Sequence, residues 1–490
     1  MKRCAGLVFL AAAWQATAQS SPDDQARRLL EDGRQYLAKG QAKQALDNFT
    51  TITTGFANTE WVDDALLEIG RYYLDVEGNV DKARESFEQV AKRYPQSDSA
   101  PGAYYYLGWL TLTRATKPQE LDDALAQFDR IRTLYPHSDW VPRSFYAAGL
   151  VHRRAGRLPE AVEAERRATL EYPTSEAAAA AQFQVGHCLA LLGEPRQAME
   201  EYQQVRNRYP SSEWAAPALD RITALWRLFG AATPTFTLDA GYSVGSGDVL
   251  KDVRALLMTP ARVLWIASEK AKAAIPIDAS GKLGASFSAE EIRTLSLTPK
   301  GELVVAARTA VRFGPKDIKS FAVPTDKGVP ESLEKITAAA VTQNGNILVA
   351  DEKRNRVCRY DAQFQYQGLF PDAKPHSIVR LLVDGEGGIV MLDDDEKTVR
   401  VFDEAGKLLR TVGGKGANPE LKHPTDVAVD AARNLYISDE EAGVLVVSPN
   451  GKLLTTVSGE ALKRAKALTL DPSGAILAYD DKAQRVVRFQ

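Results

Sequence analysis

Residues 61–95 read WVDDALLEIGRYYLDVEGNVDKARESFEQVAKRYP. Trp61, Ala65, Leu66 and Ile69 recur at helical spacing, and so do Ala83, Phe87, Val90 and Ala91. Residues 75–79 separate the two runs as a turn. Pro95 ends the second run, because proline cannot continue a helical hydrogen-bond ladder. The stretch therefore predicts two helices, 61–74 and 80–94, with Ser97 and Ser99 as caps for the next one.

The same pattern returns along the first half of the chain. Gly33, Gly70, Gly108, Gly149 and Gly186 are spaced by 37, 38, 41 and 37 residues. Ala45, Ala83, Ala124, Ala161 and Ala198 follow them, and Tyr-Pro pairs close four units at Tyr94, Tyr135, Tyr172 and Tyr209. A fixed period in this range is the signature of stacked helical repeats. Glycine in the first helix and alanine in the second let two backbones approach closely. Phe49, Phe87, Phe128 and Tyr202, four residues after the alanines, are expected to fill the space between units. Glu165 stands at that place in the fourth unit, which predicts weaker packing or a side chain that reaches solvent. A last helix over 214–229 has the composition of a cap or strut.

This Gly, Ala, aromatic and Pro spacing resembles the tetratricopeptide repeat. The Tyr-Pro-x-Ser tail, intact at Tyr94–Ser97, Tyr135–Ser138, Tyr172–Ser175 and Tyr209–Ser212, is similar to the subset in bacterial cell-envelope proteins, such as the outer-membrane assembly lipoprotein and the coordinator of the Tol-Pal system. The resemblance implies a solenoid whose first helices line a concave, protein-binding face. Counted from each glycine, that face would carry Arg34, Arg71, Tyr105, Trp109, Arg143, Tyr146, Arg153, Phe183 and His187. Arg, Tyr and Trp are the residues enriched in binding hot spots. Packing between helices accounts for the same aromatics equally well, and ordinary solvated surface for the arginines.

After Gly230 the composition shifts to short β-branched runs separated by Gly, Asn and Asp. The clearest unit spans residues 335–370, with four strand-like runs and an Asn344-Gly345 tight turn. Equivalent turns fall at Ala261, Gly301, Gly345, Gly387, Arg433 and Gly474, at intervals of 40, 44, 42, 46 and 41 residues. Six such units predict a six-bladed β-propeller. The last unit lacks an outer strand, which residues 235–238 are expected to supply, closing the ring. His423-Pro-Thr-Asp-Val-Ala-Val-Asp430 followed by Asn434-Leu-Tyr-Ile-Ser-Asp439 resembles the NHL repeat. That resemblance implies a module found in protein-binding, RNA-binding and lyase proteins.

The expected fold class is multidomain α plus β: an N-terminal α-solenoid of tetratricopeptide repeats over 24–229, a linker and closing strand over 230–248, and an all-β propeller over 249–490. Residues 1–18 read as a signal peptide, with Lys2 and Arg3, an apolar run and an Ala16-Thr17-Ala18 cleavage site. The apolar run is too short to span a bilayer. Export to the periplasm or outer membrane of a Gram-negative bacterium follows from the leader and the repeat style.

The 490 residues are 44% hydrophobic and 26% charged, with net charge −3, which disfavours nucleic acid as the main partner. Cys188 and Cys358 fall in different domains and do not make a disulfide framework. No helical His pair, Cys-x-x-Cys or phosphate-binding loop is present. The acidic runs 393–396 and 480–481 read as solvent-facing hairpin turns rather than a metal site. His376 and His423, near blade starts, are the two candidates at a propeller mouth. No catalytic residue, metal or cofactor is assigned. The sequence thus supports a non-enzymatic envelope scaffold that binds proteins or peptides through the solenoid and a second partner through the propeller. The alternative is an exported propeller enzyme of lyase or lactonase type, or a small-ligand sensor, with the solenoid as docking arm.

Overall fold

The computed structural model describes residues 21–231, 234–242, 244, 247–314, 317–325, 328–370, 377–460, 462–463 and 465–490. The leader-like residues 1–18 and His376 lie outside them. Two compact units follow one another in the chain, the second starting at Gln182.

Eleven helices lie among the described residues: α1 (Pro22–Ala38), α2 (Ala42–Gly55), α3 (Val62–Asp75), α4 (Val80–Arg93), α5 (Ala100–Arg114), α6 (Pro118–Leu134), α7 (Val141–Arg154), α8 (Leu158–Glu171), α9 (Glu176–Leu191), α10 (Pro195–Arg208) and α11 (Ala215–Phe229). α3 and α4 match the two helices expected from residues 61–95. In the first unit α1 packs on α2, α3 on α4, α5 on α6 and α7 on α8.

The repeat residues explain the pairing, with one change from the expectation. Phe49, Phe87 and Phe128 are fully buried. Each ring lies against the glycine of its own helix pair: Gly33, Gly70 and Gly108. A Cβ on any of these glycines would overlap the ring, so glycine and aromatic form one matched contact. The aromatic thus closes the gap within a unit, and Phe87 also stacks on Tyr106 of the next unit, with ring centroids 4.8 Å apart. Glu165 does not reach solvent. It is fully buried and its side chain lies on Gly149, in the place a ring takes elsewhere.

The Tyr-Pro-x-Ser tail is a turn. The Ser97, Ser138, Ser175 and Ser212 amides donate to the carbonyls of Tyr94, Tyr135, Tyr172 and Tyr209 at 3.0–3.1 Å. Ser99 does occupy the cap position of α5, but its side chain makes no capping hydrogen bond. Two of the serines also use their hydroxyls: Ser212 Oγ donates to the Tyr209 carbonyl at 2.8 Å, and Ser138 Oγ accepts from the Trp140 amide at 3.2 Å.

In the second unit, six antiparallel sheets form the propeller. Their innermost strands are Val253–Met258, Ile292–Leu297, Ile336–Val341, Ile378–Val383, Pro424–Val429 and Ala465–Leu470, in blades 1 to 6. These strands touch one another in a closed ring, blade 6 meeting blade 1. The second strands, such as Ile347–Asp351 and Ile389–Asp393, are buried along their whole length, as continuous apolar runs require. A small two-stranded ribbon, Ala322–Val323 with Glu331–Ser332, sits between blades 2 and 3 in sequence.

Ring closure is as expected from residues 235–238. Blade 6 contributes three strands of its own. Thr237 exchanges backbone hydrogen bonds with Gln490 at 2.9 and 3.0 Å, and the Asp239 amide donates to the Arg488 carbonyl at 2.9 Å. The segment before blade 1 therefore completes blade 6.

The turn between the first two strands of each blade needs a left-handed residue. Gly301, Gly345, Gly387 and Gly474 fill it in four blades with φ between 78° and 84°. In blade 1 the position is Arg262 (φ 60°), one residue later than the sequence placed it, and in blade 5 it is Arg433 (φ 65°). A branched or long side chain pays a steric penalty there that glycine does not.

The acidic residues at the ends of second strands are structural. Asp393 is fully buried and Asp480 nearly so, which corrects their reading as solvent-facing. Asp439 shows the role: Oδ1 accepts from the Glu441 and Ala442 amides, and Oδ2 from the Lys422 and His423 amides. Asp393 and Asp480 likewise accept amides of the following hairpin. Cys188 and Cys358 are buried and outside any disulfide.

Candidate functional site

In the first unit, α3, α5 and α7 bring four of the expected groove residues into one concavity. Arg71, Tyr105, Trp109 and Arg143 line a 450 Å³ cavity together with Leu74, Asp75, Tyr106 and Trp140. The rings form a connected wall. Tyr105 lies 6.2 Å from Trp109 in a stacked pair and 5.2 Å from Trp140. Arg143 sits over the Trp140 ring at 4.9 Å and pairs with Glu176. Burial pushes the Tyr105 hydroxyl up to about 12, so it stays protonated and can donate a hydrogen bond at any ordinary pH. Apolar faces, fixed guanidinium groups and an exposed carboxylate, Asp75, together suit an extended or helical peptide segment.

Arg34 serves the framework instead. It donates to Glu68 at 2.8 Å and to Asp64 at 3.0 Å, and Arg71 holds the other Glu68 oxygen at 3.1 Å. Glu68, with 4% of its side chain exposed, thus ties α1 to α3. Tyr146 is half-buried against the apolar core of α5–α8, and Arg153 is half-buried on α7.

Asp63, Asp64 and Asp98 offer three carboxylate oxygens within 4.8 Å of one another, a grouping of the kind that could hold a cation, with Arg34 already bonded to Asp64. Burial and the neighbouring carboxylates raise Asp64 to about 6, against the pull of Arg34. The folded chain then binds a proton between pH 4 and 6 that the unfolded chain has released. Stability should fall as pH rises through that window. Asp64→Asn is expected to flatten this slope in denaturant unfolding measured at pH 4, 5 and 6; an unchanged slope would contradict the assignment.

Phe183 and His187 are not presented to any groove. Phe183 is 2% exposed, between Tyr202 and Trp214 at 5.1 and 4.9 Å, with Arg221 over its ring. His187, 1% exposed, belongs to a buried charged cluster that sequence reasoning missed. Arg221 of α11 donates to Glu386 at 2.7 Å, and His187 Nε2 lies 3.1 Å from the other Glu386 oxygen. Arg433 donates to Asp384 at 2.7 Å and approaches Glu386 at 3.7 Å. The cluster fastens the last helices to blades 4 and 5 within the second unit. Its sequence signal was an arginine standing at the glycine place of blade 5.

At the propeller, His423 has a side chain 55% exposed, 3.5 Å from Glu441. A second cavity, of 550 Å³, lies where blade 1, blade 6 and the closing segment meet.

The family model described as YfiO, outer membrane lipoprotein, matches residues 22–144 and 76–232. About half of the chain is similar to solved structures of a streptogramin B lyase (9% identity, 52% of this chain and 97% of that one, TM-score 0.39) and of virginiamycin B lyase from Staphylococcus aureus (11% identity, 52% and 99%, TM-score 0.39). A structural genomics protein from Bacteroides thetaiotaomicron is also similar (12% identity, 52% and 72%, TM-score 0.36). No curated protein matches the sequence. The helical region thus matches the outer membrane lipoprotein family model, and the six sheets of the second unit form a propeller. Among the described residues no helix is long and apolar enough to cross a membrane.

Proposed function

We propose that the chain is a non-enzymatic scaffold of the bacterial envelope, exported to the periplasm or the outer membrane. Its solenoid arm, residues 24–229, holds a protein or peptide segment, and its propeller, residues 249–490, presents a second surface beyond the 230–248 linker. The aromatic–arginine cavity of α3, α5 and α7 carries this reading. The family match supports the envelope setting.

The test places a photo-crosslinking residue at Asp75, an exposed position on the cavity rim, in cells. A discrete protein adduct is expected. Trp109→Ala and Arg143→Glu should each reduce it about tenfold or more, as truncation of an aromatic or arginine hot spot does, while helix content stays unchanged. An adduct of equal yield in both variants would refute the cavity as the binding site.

A further inference from the structure

Two blades place arginine where four place glycine, in a left-handed turn that disfavours long side chains. Arg433 spends its side chain on the buried Asp384–Glu386 cluster. Arg262, its equivalent in blade 1, is exposed and lines the 550 Å³ cavity at the ring closure, with no carboxylate within ion-pair distance among the described residues. Asp278, in the turn between the third and fourth strands of blade 1, lines the same cavity. It is exposed, and its Oδ1 holds the turn by accepting from the Ser280 and Lys282 amides and the Ser280 hydroxyl; the Lys282 charge acts on it, but no cation lies within ion-pair distance among the described residues.

The remaining charges in the wall are matched to one another. Arg488 bonds Asp471 at 2.8 Å and lies 3.7 Å from Asp239. Met258, Leu264, Ile277 and Leu477 line the same cavity and make part of its wall apolar. The volume falls within the roughly 300–1,000 Å³ of small-molecule sites. A cation and an anion that make no ion pair, lining one cavity with apolar residues, match a ligand that carries both charges and an apolar body.

We propose that this cavity binds a small zwitterion with apolar side chains, of the class of a short hydrophobic peptide. The carboxylate meets the Arg262 guanidinium, the ammonium meets Asp278, and the side chains cover the apolar part of the wall. A dipeptide spans about 7 Å between its ends, a reach suited to two groups that line one cavity without pairing. Because the closing segment contributes Tyr242 and Val244 to the wall, occupancy also braces the join between blades 6 and 1.

The experiment is calorimetric titration of the full chain with leucyl-leucine, its N-acetyl form and its C-terminal amide. Arg262→Gly keeps the turn, since glycine stands there in four other blades, and Asp278→Asn keeps the acceptor that holds its own turn. Thermal unfolding of both variants verifies the fold. Saturable one-to-one binding of leucyl-leucine is expected, weakened about tenfold or more by either substitution and by blocking either terminus, the size of a lost charge-assisted hydrogen bond. Absence of saturable binding overturns the proposal, and so does binding that survives either substitution or either blocked end.

Discussion

Glu386→Ala is expected to destabilise the second unit by about 3–5 kcal/mol, the cost of breaking a buried ion pair from one side. Glu386 is the carboxylate on which Arg221, His187 and Arg433 converge. Arg221 is 8% exposed and His187 2% at the side chain, so neither can turn to water when the carboxylate is removed. Glu386→Gln keeps an acceptor for Arg221 and should cost less. Denaturant unfolding of the full chain, followed by circular dichroism, measures both. A loss below about 1 kcal/mol for the alanine variant, the scale of an exposed pair, would show that the cluster does not hold α11 to the blades.

Phe87→Ala is expected to cost the first unit about 3–5 kcal/mol. The ring is fully buried, fills the space above Gly70 and stacks on Tyr106. The truncation loses apolar burial and leaves a cavity beside a glycine that has no side chain to fill it. Because Tyr106 also lines the aromatic cavity, the same variant should weaken capture at the Asp75 reporter. Unfolding that matches the unsubstituted chain would mean the glycine–aromatic pair is not what sets the spacing of α3 and α4.

The solenoid and propeller were legible because their rules are local and repeated. A glycine facing an aromatic, a proline at a helix end and a left-handed turn each leave the same residue type in most repeats, at a near-constant interval. The groove was only partly legible. Counting from the glycines put Arg71, Tyr105, Trp109 and Arg143 on one face, and they do share a cavity. The same count put Phe183 and His187 on an open face, where Trp214 and Arg221 cover Phe183 and Glu386 meets His187. Partners more than 160 residues away in sequence, such as Arg221 and Glu386, leave no periodic trace. Glu165 shows a further limit. A carboxylate at an aromatic position reads as weak packing or as a side chain in solvent, yet its Cγ and carboxyl group lie over Gly149, in the place a ring takes elsewhere.

The bridging role is the central claim, and paired photo-crosslinking in cells tests it most directly. One reporter sits at Asp75 in the solenoid cavity and the other at His423 on the propeller. A distinct envelope protein is expected at each site, with Trp109→Ala reducing the first adduct about tenfold or more and leaving the second. A solenoid adduct with no protein captured at His423, or one protein captured equally at both sites and insensitive to Trp109→Ala, would contradict it.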